Sequence, residues 1–302
     1  MVKQIAKFIF NSLGYSLVKK AKPQTKGFSI IKVGKFDIQI RNDNGLRYDY
    51  VYCKQYGQQL TRLTALLKTQ YPDMQAVDIG ANIGDSAALI KSGADVPVIC
   101  IEGDESLVDI FAKNTTQFKG ISLVKTFLSD EVGEQNCEYT KEGHNLTIKP
   151  SGGSASSVLT KFSSIDNLYA ASLLNNNCKL MKVDTEGFDL KILRGGTYFM
   201  QQVKPVLLFE FNRENLANVE TDAFSIFPSL LNQGYSKILF YENNGTFMFS
   251  ADLANQHFIK QVYNYVDGKT SVVPYLDIIA FSAGDDVLAD AFIDIEEKNR
   301  TT

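Results

Sequence analysis

Apolar residues in this chain fall into short runs that end in acids, with helix-patterned segments between them. The run Ala76-Val77-Asp78-Ile79 stops at the turn Gly80-Ala81-Asn82-Ile83-Gly84-Asp85, and residues 86–91 then read as a helix stopped by Gly93. Residues 96–101 form a second buried run ending in Glu102, and residues 121–128 a third that leads into Ser129-Asp130. A fourth, residues 180–183, leads into Asp184-Thr185-Glu186-Gly187-Phe188-Asp189 and a helix spaced Leu190, Ile192, Leu193 that ends at Gly195-Gly196. Residues 205–209 are a fifth strand presenting Glu210 and Asn212, and residues 237–241 and 277–281 supply two more. Continuous apolar strands separated by helices predict an α/β fold with a mostly parallel sheet.

The first turn carries the most chemistry. Gly80 and Gly84 let the backbone come close to a ligand, a helix starting near Gly84 offers free N–H groups, and Asp78 sets a carboxylate at the strand end. A pyrophosphate cradle wants G-x-G-x-x-G. Here Asn82 takes the middle position and acids, Asp78 and Asp85, stand on either side. That suits a cationic ligand such as the sulfonium and ammonium of S-adenosylmethionine. Glu102, about twenty residues further on, is the group expected to accept both ribose hydroxyls. Ser129 and Asp130 read either as partners of an adenine amino group or as ordinary turn chemistry.

Ligands of parallel sheets sit outside the carboxyl ends of the strands, so Asp78, Glu102, Asp184, Glu186 and Glu210 are expected to converge on one rim. Three acids within the six residues 184–189 are costly without a cation, a metal or a substrate proton nearby. Two readings stay open. In one, Asp184 or Glu186 is the base that takes the proton of an acceptor hydroxyl while Glu210 positions the acceptor. In the other, Asp184, Glu186, Glu210 and Asn212 hold Mg²⁺ through oxygen ligands.

Asp78-Ile79-Gly80-Ala81-Asn82-Ile83-Gly84-Asp85, Glu102-Gly103-Asp104, Ser164-Ile165-Asp166-Asn167-Leu168, residues 182–193, Glu210 and Gly234-Tyr235 resemble the FkbM family of S-adenosylmethionine-dependent methyltransferases. The likeness covers roughly residues 70–283, and the Lys-x-Asp-x-Glu-Gly segment is its most specific part. It implies a class I methyltransferase (Rossmann-like) fold: a seven-stranded, mostly parallel sheet with one antiparallel strand and helices on both faces. It also implies O-methylation of a hydroxyl on a sugar, glycan or secondary metabolite. Thr185 stands where a hydrophobic residue is commoner, and Ser164-Ile165-Asp166 replaces the usual Thr-Leu-Asp.

Composition narrows the alternatives. A chain of 302 residues with 44% hydrophobic content suffices for one catalytic domain, residues 70–283, with extensions at 1–69 and 284–302. Cys53, Cys100, Cys137 and Cys178 lack C-x-x-C spacing, which argues against a zinc site or disulfide framework and for a reducing, cytoplasmic location. A net charge of −3 argues against a nucleic-acid partner. Residues 1–26 read as a basic amphipathic helix, either packed on the domain or a partner chain or lying peripherally on the inner face of a membrane, and too interrupted by Lys7 and Asn11 to span one. Residues 284–302 read as a surface helix fraying into a polar tail.

Acceptor specificity is expected in the insertions 131–160 and 243–275. The first holds His144 and the Ser/Gly segment 151–157 and reads as a loop able to close over the cofactor. The second holds His257 and Phe247, Phe249, Phe258, Tyr263 and Tyr265, a sugar-stacking wall or a packed subdomain. Rival functions are weaker. An RNA or protein methyltransferase lacks its Asn/Asp-Pro-Pro-aromatic segment here, Asn82 disfavours a nicotinamide dehydrogenase, and the acids disfavour a non-catalytic nucleotide-binding module. The acceptor's identity and the oligomeric state are not encoded in any motif.

Overall fold

The computed structural model describes residues 27–300 apart from 143–144, 154–155, 213–215, 217–218, 220–221, 268–272 and 274. The amphipathic segment 1–26 and His144 therefore lie outside the described residues.

Ahead of the main sheet, β1 (Phe28–Val33) and β2 (Phe36–Arg41) pair as an antiparallel hairpin, followed by α1 (Leu46–Tyr52) and α2 (Gln58–Gln70). Of the extension expected over residues 1–69, the described part thus forms two strands and two helices. The core then alternates as predicted: β3 (Gln75–Ile79), α3 (Asp85–Gly93), β4 (Val98–Glu102), α4 (Val108–Thr115) and β5 (Ile121–Lys125).

The third strand does not run on to residue 128. It breaks at Thr126, and Phe127 and Leu128 become β6 (Phe127–Leu128) of a second sheet. That sheet is completed by β7 (Gly133–Glu142), β8 (Asn145–Pro150) and β9 (Val158–Ser163), in the order β6-β9-β7-β8. The insertion expected to be a loop is thus largely β-structure, because Leu128, Cys137, Ile148 and Phe162 have an apolar core to join.

The chain returns through α5 (Ile165–Ala170) to β10 (Cys178–Val183), then α6 (Asp189–Arg194), α7 (Thr197–Val203), β11 (Val206–Asn212) and α8 (Ile226–Asn232). It closes with β12 (Tyr235–Glu242), β13 (Phe247–Asp252), α9 (Gln256–Asp267), β14 (Tyr275–Ser282) and α10 (Asp286–Arg300). Strand order in the main sheet is β13-β12-β14-β11-β10-β3-β4-β5. β14 runs antiparallel to β11 and to β12, and β13 antiparallel to β12, so the sheet has eight strands, two of them reversed. The expected seven gain one because β13 folds back on β12 as a hairpin.

Alternation along each strand feeds two separate cores. Val77, Ile79, Met181, Val183, Leu207, Phe209 and Ile278 pack with α5 to α9 and the second sheet, whereas Ala76, Leu180, Leu208 and Ile279 pack with α2, α3, α4 and α10. The helix expected within 284–302 is present as α10, and it is docked on the domain. Ala289 and Phe292 are buried in the second core, and Arg62 Nε and Nη2 donate to the two oxygens of buried Glu296, each at 2.6 Å. A bidentate pair of this kind is directional and resists solvent. Among the described residues no helix is long and apolar enough to cross a membrane.

Strand order reverses between β3 and β10: successive strands move outward from β3 to β5, and the chain then returns to β10 on the other side. The crevice outside the carboxyl ends at that point is where an open α/β sheet takes a ligand.

Candidate active site

A cavity of about 690 Å³ opens at this crevice, lined from the tips of β3, β4, β10, β11 and β14, from α1 and α2, and from the second sheet. That size holds a nucleoside-sized ligand together with part of a second molecule. Among the described residues its carboxyl groups are Asp43, Asp49, Asp85, Glu102, Asp184, Glu186, Glu210 and Asp277, against the single cation Lys182. The field inside is negative.

At the β3 turn, Gly80 has φ +73°, and a Cβ there would lie 1.8 Å from the Asp184 carbonyl oxygen, so only glycine lets the β3 and β10 tips meet. Asn82, also left-handed at φ +46°, points its N–H at Glu102 Oε2 at 2.9 Å. The Asp104 N–H donates to Glu102 Oε1 at 2.8 Å. Burial pushes the Glu102 pKa up while these amides pull it down. Two backbone donors therefore fix the orientation of this carboxylate at the cavity wall. The charged pair Asp104 and Lys141 ties the second sheet to the same corner.

Asp78 is not on the rim. It is fully buried, accepts from Ser86 Oγ at 2.6 Å and lies 3.5 Å from Lys182 Nζ, so it anchors α3 and a buried ammonium beneath the cavity floor. Lys182 also lies 3.3 Å from Asp184 Oδ2 and donates to the Gly80 carbonyl at 3.3 Å. Its own pKa is raised by Asp184, Asp78 and Asp85 against a large opposing effect of burial.

The Asp184-Thr185-Glu186-Gly187 loop is held by Asp189. Asp189 Oδ2 accepts from the Thr185 N–H at 3.3 Å, Thr185 Oγ1 at 3.1 Å and the Gly187 N–H at 3.3 Å. Glu186 is kept at φ +53°, a strained conformation for a residue with a side chain. Burial, then the Asp184 charge, pushes Asp189 up to about 6. On the next strands, Glu210 of β11 stands opposite Asp277 of β14 in the pairing register. Asn212 Nδ2 approaches Glu210 Oε1 at 3.4 Å, and Gln59 Nε2 donates to Asp277 Oδ2 at 3.1 Å. Burial first, then Asp184, raises Asp277 to about 8 and Glu210 well above the usual carboxyl range.

Of the residues expected to meet a ligand, Gly80, Asn82, Asp85, Glu102, Asp184, Glu186, Glu210 and Asn212 line the cavity. Gly84, at φ +86°, precedes α3 and sets its direction. Ser129 and Asp130 do not line it: the Ser129 N–H donates to the Ser163 carbonyl at 2.9 Å, and Asp130 faces Lys191 at 3.7 Å. The break at Thr126 carries them into the second sheet, and Thr126, Phe127 and Leu128 take the wall position instead. Asp166 accepts from the N–H groups of Phe199 at 2.7 Å and Tyr198 at 3.1 Å, so that part of the motif fastens α7.

Among the described residues no group of three or more His, Cys, Asp or Glu side chains is disposed to hold a metal ion. The Mg²⁺ alternative through Asp184, Glu210 and Asn212 has no support here; Asp184 is already paired with Lys182. His257 is exposed, 2.9 Å from Gln261 Nε2, and away from the cavity. Phe249, Phe258 and Tyr263 pack on Phe240, Phe211 and Phe224, so these aromatics of the second insertion are core and not a sugar wall.

Several cavity residues escaped the sequence reading. Asp277 was visible as a lone acid between Leu276 and an apolar run, and Tyr50 and Tyr56 as part of a tyrosine cluster ahead of the first strand. The Tyr50 hydroxyl donates to Asp85 Oδ2 at 2.8 Å, and burial followed by Lys182 and Tyr50 leaves Asp85 at about 6. The donor set fits S-adenosylmethionine: an amide-oriented carboxylate for a ribose, the apolar residues Ile101, Leu107 and Phe127 beside it, and excess negative charge for a cation.

The profile of the family described as Methyltransferase FkbM domain matches residues 78–237, more than half of the chain. Among solved structures, methyltransferase FkbM from Methylobacillus flagellatus is similar at 19% identity and TM-score 0.31, covering 46% of this chain and 32% of that one. The fibrillarin pre-rRNA processing protein of Methanococcus jannaschii is similar at 11% identity and TM-score 0.41, over 88% of this chain and 86% of that one. A TehB-like SAM-dependent methyltransferase from Corynebacterium glutamicum matches at 9% identity and TM-score 0.36, over 79% and 100%. This chain spans about a third of the first structure's length. No match was found among curated proteins. With the glycine turn, the Lys182 to Asp189 loop and the strand reversal lying where the profile matches, the chain belongs to the FkbM methyltransferase family.

Proposed function

We propose that this protein uses S-adenosylmethionine to methylate a hydroxyl group on a sugar, a glycan or a hydroxylated secondary metabolite. The observation that carries the reading is the division of one cavity between the amide-bound Glu102 and the crowded carboxyls Asp184, Glu186, Glu210 and Asp277. When bound, S-adenosylmethionine supplies a methyl group on an electrophilic sulfonium carbon.

Glu102 accepts from the ribose hydroxyls, and its two backbone N–H donors keep it oriented for that purpose and oppose the upward push of burial on its pKa. At the other end, Asp184 takes the proton of the acceptor hydroxyl as its oxygen is alkylated. Lys182, 3.3 Å away, holds that carboxylate in place. Burial and its acidic neighbours strengthen the hold of Glu210 on its proton, which suits this carboxyl to donate a hydrogen bond to the acceptor and position it. Glu186 lines the same end, set by the Asp189-bound loop. An RNA acceptor is disfavoured by eight carboxyl groups facing one lysine among the described residues of the cavity, since a phosphodiester backbone seeks basic surfaces.

Calorimetric titration of S-adenosylhomocysteine into wild-type protein and Glu102→Ala tests the cofactor. Micromolar binding by the wild type that is lost in the variant is the expected result; no binding by the wild type overturns it. Methyl transfer to a panel of sugar nucleotides and oligosaccharides then tests the acceptor class, and transfer to RNA or protein alone would sink it.

A further inference from the structure

Tyr50 and Tyr56 reach the cavity from outside the parallel-sheet core. Their rings meet edge to face at 5.0 Å and 88°. Tyr50 is fastened to α3 through Asp85 at 2.8 Å, and Gly57, the residue after Tyr56, at φ +70°, lies so close to the Leu89 side chain of that helix that a Cβ would come within 2.4 Å of it. The pair is therefore clamped to the helix that begins at the glycine turn. Around Tyr56 stand the carboxyl groups of Asp184, Asp85, Asp277 and Asp49.

Carboxylates repel the electron-rich faces of aromatic rings, so a neutral ring pair set among acids is a poor arrangement by itself. A cation lodged against the pair and facing these acids reverses the balance, since it attracts both the rings and the carboxylates. The position agrees. Asp85 follows β3 and Asp184 ends β10, the strands on either side of the reversal and next to Glu102 on β4, so the 5′ substituent of a ribose held by Glu102 would come within reach of Tyr50 and Tyr56, which line the same cavity. In S-adenosylmethionine the sulfonium is bonded directly to the 5′ carbon.

We propose that Tyr50 and Tyr56 form an aromatic clasp for the sulfonium, so that the site holds the charged S-adenosylmethionine more tightly than the uncharged S-adenosylhomocysteine. The clasp rests on the cofactor reading above. It makes the residues ahead of β3 part of the cofactor site and gives the enzyme a physical means of discharging its product: once the methyl group has left, the sulfur is a neutral thioether and the attraction to the rings is gone.

The test is isothermal titration of both ligands into wild type, Tyr56→Leu and Tyr56→Phe. Tyr56→Leu should weaken S-adenosylmethionine about tenfold and S-adenosylhomocysteine less than about twofold, with Tyr56→Phe close to wild type for both. Retained S-adenosylhomocysteine binding shows that the variant is folded. Equal weakening of both ligands, an unchanged S-adenosylmethionine affinity, or a Phe variant that behaves like Leu would each overturn the clasp. Failure of the wild type to bind either ligand is a different result, and overturns the cofactor reading itself.

Discussion

The two ends of the cavity are built on opposite principles. Around Glu102 both carboxylate oxygens already have backbone partners, the N–H groups of Asn82 and Asp104, set by a turn that needs no ligand to form. Around Glu210 and Asp277 burial and the charge of Asp184 raise the hold of both on a proton, and Asp277 adds to the effect at Glu210. The first end is preorganised for recognition. The second is electrostatically tense, and a proton transfer or an arriving cation relieves it. Lys182, between Asp78 and Asp184, joins the two.

If the difference is real, substitutions at the two ends must fail in different ways. The largest effect is expected from Asp184→Asn, with turnover of an accepted hydroxyl acceptor down about a thousandfold while S-adenosylhomocysteine affinity stays within about threefold. A matching loss of affinity would break the division between ends. Lys182→Met leaves Asp78 buried without its cation and should cost about 3 kcal/mol of stability, seen as a Tm several degrees lower. An unchanged Tm would mean that the join between the ends bears no strain.

If Glu102 holds the ribose as proposed, Glu102→Ala should weaken S-adenosylhomocysteine about a hundredfold with little change in Tm. The smallest effect is in pH dependence. The folded protein keeps a proton on Asp277 up to about pH 8 that the unfolded chain releases near pH 4. Asp277 therefore contributes most stability at low pH and loses that contribution as pH rises from about 4 to about 8. In Asp277→Asn, Tm should fall less steeply over that window, with the remaining slope due to Glu210; an identical Tm profile would show that Asp277 does not hold the proton.

Much of the preorganised end was legible because it is local. Gly80, Asn82, Gly84 and Asp85 fall within six residues, and the acid at the end of the second strand follows at a spacing set by one helix and one strand. The tense end was legible in half. Asp184, Glu186 and Glu210 end strands that the apolar pattern marks, but their partners Asp277 and Gln59 come from positions 277 and 59, and only the reversed strand β14 and the helix α2 bring them there. Ser129 and Asp130 were misplaced for the same reason: nothing local to residues 121–128 reveals that the strand changes sheets at Thr126.

Periodicity and short motifs alone determined that this chain forms a parallel α/β sheet, where its glycine turn lies and which acids stand at the strand ends, since those properties depend on neighbours along the chain. Tertiary structure decided the rest. It sank Asp78 below the floor, folded residues 131–160 into a second sheet, docked α10 through Arg62 and Glu296, and brought Tyr50 and Tyr56 to the strand reversal. Burial and the meeting of distant charges depend on contacts between residues far apart in sequence, and those contacts exist only once the two faces of the sheet have been covered.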